Sequence, residues 1–456
     1  MNMRLEKNQL NSVTVEAISS KSHVHRLLVA AALSENLQNP CLIRSNIVSN
    51  DMKATVDCLG KLGAQIDITE EGFCVRRSVS FTQEAHLDCG ESGSTARFLL
   101  PLSIVYSNKV ILNGGGKLPS RPFSPLCDSL RNAGACISSD FLPLTATGEL
   151  RFGEYRIAGD VSSQYISGLL FALPLLDGDS RIILTTTLES KGYVDLTIDV
   201  LRLFGIQIDR LVRKDGGIEG FFVPGRQCYA APREINAEGD WSNGGFLLCA
   251  GTLGGGITVK GLNPDSTQKD SETVKILERF GADIFCNYST SDSINNKTAI
   301  VTVKPSSFGL TGVDIDAGDI PDMVPALALV AAYAKGTTTF RNVGRLRIKE
   351  SDRIEALQVM LEQIGVKTQV STTGERVDLA IEGKAYDGAS SGKSYEVLGD
   401  CITIDGYNDH RIVMAASYIA LRENIPVEII GANAVNKSYP GYFDVIKSMG
   451  LTVTER

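Results

Sequence analysis

One pattern of apolar and polar positions recurs six times along the chain. In each copy the apolar end of an amphipathic stretch meets a glycine, and residues that alternate between apolar and polar follow. The six copies read LGKLGAQI, LRNAGACI, LRLFGIQI, LERFGADI, LEQIGVKT and IKSMGLTV. Their shared glycines are Gly63, Gly134, Gly205, Gly281, Gly365 and Gly450. Successive glycines are 71 to 85 residues apart.

Each copy predicts a helix that ends and a strand that begins. The apolar pair fits the last helical turn, and the glycine suits the left-handed position just beyond it. The alternating segment is typical of a half-buried strand. Six regular copies therefore predict an α/β (α+β) protein of six similar units. Three units make a domain of ordinary to large size, so we expect two domains, with a crossover in the segment 229–245.

Charged residues stand at several predicted helix starts. The segments are SSKSHVHRLLVAAAL, ESGSTARFLLPL, VSSQYISGLLFAL, LRIKESDRIEALQVMLEQIG and YNDHRIVMAASYIAL. Serine and aspartate there are ordinary N-caps, which is the simplest interpretation of any single segment. Lysine or arginine is less expected, because the start of a helix is already partly positive. The set as a whole favours bound phosphate or carboxylate groups at these helix starts.

A further basic cluster lies in the glycine-rich segment GGGKLPSRPFSPL, from which Lys117 and Arg121 project. It does not match a P-loop, because Ile111 stands at the first glycine position and Leu118 follows the lysine. The chain also has no G-x-G-x-x-G dinucleotide fingerprint. A plain surface turn is the alternative interpretation of this segment.

Two acids are candidates for proton transfer beside these cations. Asp322 lies just before an apolar helix, and Glu350 follows Lys349. Lys349 and Arg353 are four residues apart, so they share a helix face or flank its start. Structural N-capping and a simple ion-pair network are the alternatives. His410 is more often a structural residue than a catalyst in such a position.

Composition and charge narrow the class of protein. The chain has 456 residues and a net charge of −8, which argues against nonspecific nucleic-acid binding. Ten cysteines without C-x-x-C spacing and four histidines make a zinc site unexpected and indicate a reducing cytosol. The start of the chain lacks a signal-peptide pattern, and no apolar stretch is long enough for a spanning helix.

Nine short motifs, in order along nearly the whole chain, resemble the 5-enolpyruvylshikimate-3-phosphate synthase family. They are SKSHVHR, SGSTARF, SRPFSPL, VSSQY, ESKGYVD, IPDM, RIKESDR, YNDHR and VNKSYPGYF. The resemblance implies the enolpyruvyl transferase fold, in which each of two domains contains three βαβαββ-type units. It implies an N-terminal domain at 21–237 and a C-terminal domain at 1–20 and 238–456, with crossovers near 20 and 237. The domains would close over the substrates.

The resemblance also implies a reaction and its residues. The enolpyruvyl group of phosphoenolpyruvate would move to the 5-hydroxyl of shikimate 3-phosphate, with release of phosphate. The catalytic residues implied are Asp322, Glu350 and Lys21. The residues implied for shikimate 3-phosphate are Lys21, Ser22, Arg26, Ser162, Ser163, Gln164, Ser190, Asp322 and Lys349. Those implied for phosphoenolpyruvate are Lys21, Gly93, Arg121, Gln164, Arg353, Arg411 and Lys437. The enzyme would be a cytoplasmic monomer that needs no metal or cofactor and binds neither nucleic acid nor membrane.

The chain departs from the family pattern at three places. Ser19 and Ser20 stand where Pro-Gly is common, residues 91–94 read ESGS instead of N-A-G-T, and Arg345 replaces an asparagine that contacts the shikimate phosphate in some members. These departures bear on the fine geometry of the substrate contacts.

Two other functions stay open on the sequence. The sister enzyme that transfers enolpyruvyl to UDP-N-acetylglucosamine has the same fold, but it usually carries a reactive cysteine in the mobile loop. The loop from Gly114 to Arg121 has none, and Cys127 follows in a stretch that reads as helical. A non-catalytic repeat protein that binds a large anion would explain the cations. It would have no need of the acids Asp322 and Glu350.

Overall fold

The chain folds into two compact units in the computed structural model, which describes residues 1–34, 40–290, 297–384 and 400–456. The N-terminal unit is Ser19–Ala237, and the C-terminal unit combines Met1–Ile18 with Glu238–Arg456. The chain therefore passes from one unit to the other between Ile18 and Ser19, and returns between Ala237 and Glu238. The sequence-based expectation put these crossovers near residues 20 and 237.

The described residues form 24 strands. They are β1 (Met3–Lys7), β2 (Val13–Glu16), β3 (Cys41–Arg44), β4 (Gln65–Thr69), β5 (Gly72–Arg77), β6 (Thr82–Asp88), β7 (Ser107–Asn113), β8 (Ala135–Ile137), β9 (Leu144–Gly148), β10 (Glu154–Ile157), β11 (Ser180–Leu184), β12 (Asp209–Val212), β13 (Ile218–Val223), β14 (Glu234–Asn236), β15 (Ile257–Leu262), β16 (Asp283–Thr290), β17 (Lys297–Lys304), β18 (Asp314–Asp316), β19 (Lys335–Arg341), β20 (Lys367–Thr373), β21 (Arg376–Lys384), β22 (Ile402–Asp405), β23 (Val427–Ile430) and β24 (Leu451–Glu455).

The same residues form 13 α-helices. They are α1 (Lys21–Leu33), α2 (Asn50–Lys61), α3 (Gly93–Tyr106), α4 (Ser124–Asn132), α5 (Ser163–Ala172), α6 (Lys191–Leu203), α7 (Trp241–Leu253), α8 (Thr273–Phe280), α9 (Val324–Ala332), α10 (Arg353–Glu362), α11 (His410–Ser417), α12 (Ile419–Arg422) and α13 (Tyr442–Ser448). Short 3-10 turns cover Leu118–Ser120, Leu173–Leu175, Lys269–Glu272, Pro321–Met323, Gly344–Ile348 and Ala432–Lys437.

The strands form six four-stranded sheets with one topology. In the repeat β6-α3-β7-α4-β8-β9, strands β6 and β7 are parallel, and β9 lies antiparallel between β7 and β8. The N-terminal unit repeats this order in β10-β11-β13-β12 and β14-β3-β5-β4. The C-terminal unit has it in β2-β15-β17-β16, β18-β19-β21-β20 and β22-β23-β1-β24. Three βαβαββ units in each domain confirm the predicted fold class.

Three of the six repeats borrow a strand from a distant part of the sequence. Strand β14 supplies the first strand of the sheet that contains β3, and β2 does the same beside β15. Strand β1 lies between β23 and β24 and serves as the last strand of that repeat. Each crossover of the chain thus falls between the first strand of one repeat and the first helix of a repeat in the other unit, which leaves every sheet complete within its own unit.

The six shared glycines occupy the conformation that their pattern predicts. All have positive φ, between 72° and 112°, and each follows the helix that lies after the second strand of its repeat. A residue with a Cβ is disfavoured in this region, so the glycines end the helices without strain. The prediction of six helix ends is confirmed.

The first helix of each repeat lies in the core of its unit. Every residue of α7 and of α9 is buried, and α1 is buried from Val24 onward. Such helices pack apolar surface on all sides, and only their ends reach polar surroundings. Their starts are therefore the places where the fold can present free backbone N–H groups to a ligand.

The sequence also predicted the absence of a membrane-spanning helix and the presence of free cysteine thiols. Among the described residues, no helix combines the length and apolar character that a membrane span requires. All ten cysteines are free thiols, of which five are buried, three are partly buried and two are exposed.

Candidate active site

The predicted site residues divide between the two units. Those of the N-terminal unit are Lys21, Ser22, Arg26, Gly93, Arg121, Ser162, Ser163, Gln164 and Ser190. Those of the C-terminal unit are Asp322, Lys349, Glu350, Arg353, Arg411 and Lys437.

Three helix starts carry most of the residues in the N-terminal unit. Helices α1, α3 and α5 begin at Lys21, Gly93 and Ser163. The serines just before them cap the helices, because their hydroxyls accept the N–H groups of His23, Thr95 and Gln164. The N-cap interpretation of these serines is correct. This capping role is compatible with anion binding, because cations lie in or beside the same first turns.

Lys21 is held at the start of α1 by an acid from the next helix. Its Nζ lies 2.8 Å from Oδ2 of Asp51, in the first turn of α2. Both side chains are mostly buried. The ion pair fixes the ammonium group of Lys21 beside a helix start, where an anion is stabilised.

Arg26 is a buried cation whose hydrogen-bond acceptors are all neutral. Nε donates to Oγ1 of Thr197 at 2.8 Å, Nη1 to the carbonyl of Ser22 at 2.7 Å and Nη2 to the carbonyl of Tyr193 at 2.9 Å. Burial lowers the pKa of Arg26 to about 10. Burying a charge without a counter-ion is costly, so a bound anion would stabilise this site.

Two guanidinium groups converge over Gly93. A Cβ at this position would overlap Nη1 of Arg97 and lie 3.0 Å from Nη1 of Arg121. Glycine at this position leaves room for the two cations, and any larger side chain would push their guanidinium groups aside. Together with the first turn of α3, the two arginines form a concentrated site for a small anion.

Gln164 links the starts of α3 and α5. Its Oε1 accepts from Nη1 of Arg97 at 2.8 Å, and its Nε2 donates to Oγ of Ser94 at 2.8 Å. The two helices approach closely because Gly168 packs against the backbone of Arg97, where a Cβ would clash. The amide of Gln164 is thus fixed in orientation beside Gly93.

Ser190 adopts a conformation that is rare for a residue with a side chain. Its φ of 51° and ψ of 41° are left-handed, and it precedes α6 without capping that helix through its side chain. It is buried. Backbone strain of this kind is concentrated at functional positions and costs about 1–3 kcal/mol, which accords with the predicted binding role.

Asp322 forms the centre of the charged group in the C-terminal unit. It lies in the turn Pro321–Met323 before α9, and its Oδ1 is 2.8 Å from Nη1 of Arg353 and 3.2 Å from Nζ of Lys349. Burial raises the pKa of Asp322, but Lys349, Arg353 and Arg411 outweigh burial and hold it well below its usual value. The carboxylate is therefore ionised at neutral pH.

The start of α10 decides between the two predicted arrangements of Lys349 and Arg353. The helix begins at Arg353, with Asp352 as its N-cap. Lys349 and Glu350 consequently lie in the segment ahead of the helix, so Lys349 and Arg353 flank the helix start. Oε2 of Glu350 is 2.9 Å from Nδ1 of His410, the first residue of α11.

Three side chains in this region come close enough to be compared with a metal site. Atoms of Glu350, Asp409 and His410 lie within 4.8 Å of one another. Both oxygens of Asp409, however, already accept hydrogen bonds from Arg353, which is a buried cation. This donor set is satisfied by an arginine and fits an ion-pair network better than a metal ion.

Arg411 and Lys437 complete the C-terminal group. Nη2 of Arg411 donates to Oγ of Ser242, and its guanidinium carbon lies 4.9 Å from the centre of the Phe246 ring. Its Nε and Nη1 are buried and have no hydrogen-bond partner among the described residues. Lys437 donates to the carbonyl of Asn408 just before α11. Unpaired buried N–H groups are the donors that an anion would satisfy.

Some residues at the site were not among the predicted ones. They are Asp51, Arg97, Thr197, Ser242 and Asp409. Arg97 had a signal in the sequence, since it stands four residues after Gly93 and so shares a helix face with it. Asp409 stands at a predicted helix start, where its capping role was expected. Asp51, Thr197 and Ser242 make contacts between distant segments, for which helix periodicity gives no signal.

Comparisons with known proteins agree along the whole chain. The sequence model of the EPSP synthase family (3-phosphoshikimate 1-carboxyvinyltransferase) matches residues 6–446. The 3-phosphoshikimate 1-carboxyvinyltransferase of Clostridium novyi is 36% identical, covering 100% of this chain and 98% of that protein. The enzyme of the same name from Clostridium kluyveri is 38% identical, covering 96% of this chain and 94% of that protein.

Solved structures give the same fold. EPSP synthase from Acinetobacter baumannii matches with a TM-score of 0.77 and 22% identity, over 100% of both chains. The enolpyruvyl transferase NikO from Streptomyces tendae matches with a TM-score of 0.73 and 17% identity, over 99% of this chain and 98% of that chain. At these identities the likeness establishes the two-domain enolpyruvyl transferase fold, as predicted.

Proposed function

The chain belongs to the EPSP synthase family, and from this premise we propose how its residues carry out the family's reaction. The enzyme transfers the enolpyruvyl group of phosphoenolpyruvate to the 5-hydroxyl of shikimate 3-phosphate, a step of aromatic amino-acid biosynthesis. The observation that supports the assignment of residues is that two buried guanidinium groups keep N–H groups for a ligand. Among the described residues Arg26 donates only to neutral oxygens, and Nε and Nη1 of Arg411 have no hydrogen-bond partner.

Shikimate 3-phosphate binds through residues of the N-terminal unit. They are Lys21, Ser22, Arg26, Ser162, Ser163, Gln164 and Ser190. A phosphate carries about −1.5 to −2 at neutral pH, and the substrate adds a carboxylate. Helix starts with serine caps and a buried, uncompensated guanidinium supply the complementary field, and Asp322 and Lys349 of the C-terminal unit contribute as well.

Phosphoenolpyruvate binds through a second set of cations, which shares Lys21 with the first set. They are Lys21, Arg121, Arg353, Arg411 and Lys437, together with Gly93 and Gln164. The convergence of Arg97 and Arg121 over Gly93 supports a site for a small dianion. The unpaired nitrogens of Arg411 support a second contact of the same kind. Guanidinium groups bind carboxylate and phosphate oxygens with two N–H groups at once.

Asp322 accepts the proton of the 5-hydroxyl group of shikimate 3-phosphate while the hydroxyl oxygen bonds to C2 of phosphoenolpyruvate. Its pKa is low because three cations face it, so it is ionised but weakly basic. Bound phosphate and carboxylate groups offset those cations and raise the basicity of Asp322 when both substrates are present.

Glu350, with Lys21, provides the proton for the methylene carbon, C3. His410 holds the carboxyl of Glu350 in place. The tetrahedral adduct then loses phosphate from C2, with the proton held by Asp322 passing to the phosphate, and returns one proton of the new methyl group to Glu350. These losses form the C2–C3 double bond of the new enol ether. Asp322 and Glu350 carry the protons in this sequence, and we expect no cofactor or metal ion. A monomer in the cytoplasm remains our expectation for its state and location.

Two features disfavour the sister reaction with UDP-N-acetylglucosamine. The loop from Gly114 to Arg121 has no cysteine. Cys127 is buried in α4, and burial raises its pKa to about 12, so the thiol is unreactive at neutral pH.

The deciding experiment measures phosphate release from phosphoenolpyruvate with each acceptor. We expect release with shikimate 3-phosphate and none above background with UDP-N-acetylglucosamine. Release with the nucleotide sugar alone would replace the proposed function. Binding of shikimate 3-phosphate without any turnover would instead indicate a non-catalytic anion-binding protein.

A further inference from the structure

Thr197 makes the contact that orients Arg26, although no motif in the sequence points to it. It lies on α6 and is fully buried. Its Oγ1 is 2.8 Å from Nε of Arg26, 3.0 Å from the carbonyl oxygen of Tyr193 and 2.7 Å from Oγ of Ser167. Two helices distant in sequence, α1 and α6, are thereby joined at one hydroxyl.

The direction of the bond between Arg26 and Thr197 follows from the atoms involved. Nε of Arg26 can only donate, so Thr197 accepts from it. Thr197 donates its single proton to the carbonyl of Tyr193 or to Oγ of Ser167, and either choice leaves the bond to Arg26 unchanged. Removal of the Ser167 hydroxyl would leave the bond between Thr197 and Arg26 in place, whereas removal of the Thr197 hydroxyl would leave Nε of Arg26 buried without an acceptor.

The surroundings of Arg26 leave part of its guanidinium for a ligand. Its carbon atom lies 5.0 Å from the centre of the Phe98 ring and 5.9 Å from that of Tyr193. Three of its five N–H groups bond to the oxygens of Ser22, Tyr193 and Thr197. The rings fix the position of the group, and the three bonds fix its rotation, so two N–H groups point in a defined direction.

We propose that Thr197 is a positioning residue that holds Arg26 in the orientation that binds shikimate 3-phosphate. The proposal rests on the proposed function of Arg26 as a ligand of that substrate. Thr197 acts through Arg26 and touches neither the substrate nor the reacting atoms in this scheme. Its loss therefore weakens the binding of one substrate and leaves the binding of the other nearly unchanged.

The test uses Thr197→Val, which keeps the shape of the side chain and removes the hydroxyl. We expect the KM for shikimate 3-phosphate to rise about tenfold, the effect typical of one hydrogen bond to a charged group. The KM for phosphoenolpyruvate should change less than twofold. Thr197→Ser should restore both constants. Ser167→Ala is the matched control, since it removes a neighbouring buried hydroxyl that does not contact Arg26, and it should leave both constants near those of the wild type.

A double-mutant cycle separates this proposal from the function on which it rests. Arg26→Met should lower kcat/KM for shikimate 3-phosphate, and Thr197→Val should have little further effect in that background. An unchanged kcat/KM in Arg26→Met would refute the role of Arg26 itself. A clear effect of Arg26→Met together with an unchanged KM in Thr197→Val would overturn only the role of Thr197.

Two further results would overturn the proposal, because each indicates a general loss of structure in the N-terminal unit. One is an equal increase in both KM values in Thr197→Val. The other is a Ser167→Ala variant that is as impaired as Thr197→Val. If Thr197→Val does not fold, Thr197→Cys replaces it. The sulfur fills a similar volume but is a weak acceptor, so the same selective rise in one KM is expected, and its absence counts against the proposal.

Discussion

Arg353 and Asp409 form a two-point ion pair in which neither side chain is more than 2% exposed. Nε of Arg353 donates to Oδ2 of Asp409 at 2.8 Å, and Nη2 donates to Oδ1 at 3.1 Å. The third nitrogen, Nη1, donates to Asp322. Burial lowers the pKa of Arg353, but the two carboxylates outweigh burial and raise it. The guanidinium is therefore a fixed charge that joins the N-cap of α11 to the start of α10.

Asp409→Asn should destabilise the protein, because it leaves the buried Arg353 without its main counter-charge. We expect the free energy of unfolding to fall by about 3 kcal/mol, the cost typical of breaking a buried pair. Urea unfolding at neutral pH measures this change. Glu272→Gln removes one partner of the exposed pair with Lys275 and should change the free energy by less than about 0.5 kcal/mol. Equal effects of the two substitutions would contradict the view that the buried pair stabilises the protein more than the exposed pair does.

Asp322→Asn and Glu350→Gln should reduce turnover while substrate binding persists. Each substitution keeps the shape of the side chain and removes the group that carries a proton in the proposed reaction. We expect kcat to fall by about 100- to 10,000-fold in each variant, the range found for general acids and bases. Phosphate release measures kcat, and calorimetric titration measures the binding of shikimate 3-phosphate.

Glu355→Gln provides the control for the two catalytic acids. Glu355 is an exposed acid in the first turn of α10, near the same helix start. Its substitution should leave kcat within about twofold of the wild type, because no proposed step uses it. Full turnover in either Asp322→Asn or Glu350→Gln would remove that residue from the mechanism.

Gly93→Ala should weaken the binding of phosphoenolpyruvate. The new methyl group would displace the guanidinium groups of Arg97 and Arg121 from the start of α3. A shift of two charge-assisted contacts predicts a rise of about tenfold or more in the KM for phosphoenolpyruvate. Gly60→Ala, in α2, is the matched control because no atom lies within 4 Å of the added methyl group. Steady-state kinetics with both substrates would show the effect, and an unchanged KM in Gly93→Ala would disprove this account of the glycine.

The repeat architecture could be predicted because it depends on local physics. A glycine such as Gly63 ends a helix through its own backbone conformation, so the pattern around it is visible in eight residues. The pattern could not predict the strands that join a sheet formed by a distant part of the sequence. Strand β14 has three residues and pairs with β3, nearly two hundred positions earlier in the chain. A short strand of this kind is defined by its partner and carries no periodic signal of its own.

The same distinction applies to the candidate site. Capping residues such as Ser92 and Asp352 could be expected at helix starts, because they satisfy N–H groups a few residues away. The pairs Arg26–Thr197 and Arg411–Ser242 could not, because they join residues 171 and 169 positions apart. Family resemblance names the residues that we expect to contact the substrates. The structure adds the neutral partners that orient them.

His25 gives the fold a defined dependence on pH. The side chain is buried on α1, with Nδ1 2.7 Å from Oγ1 of Thr55 and Nε2 without a partner among the described residues. Burial, followed by the charges of Lys21 and Arg26, lowers the pKa of His25 well below 6.5. The native protein thus keeps His25 neutral, while the unfolded chain binds a proton near pH 6.5.

The sign of the effect follows from this difference in proton binding. Above about pH 6.5 neither state is protonated at His25, and the residue adds no pH dependence. As the pH falls below that value, the unfolded state alone gains a proton, so the free energy of unfolding falls by about 1.4 kcal/mol per pH unit until the native pKa is reached. Urea unfolding at pH 7.5 and 5.5 should show about 1.4 kcal/mol more loss in the wild type than in His25→Gln. His86→Gln, at an exposed histidine, should keep the wild-type dependence. Identical losses in wild type and His25→Gln would mean that His25 is protonated in the native protein, and a third positive charge would then lie between Lys21 and Arg26.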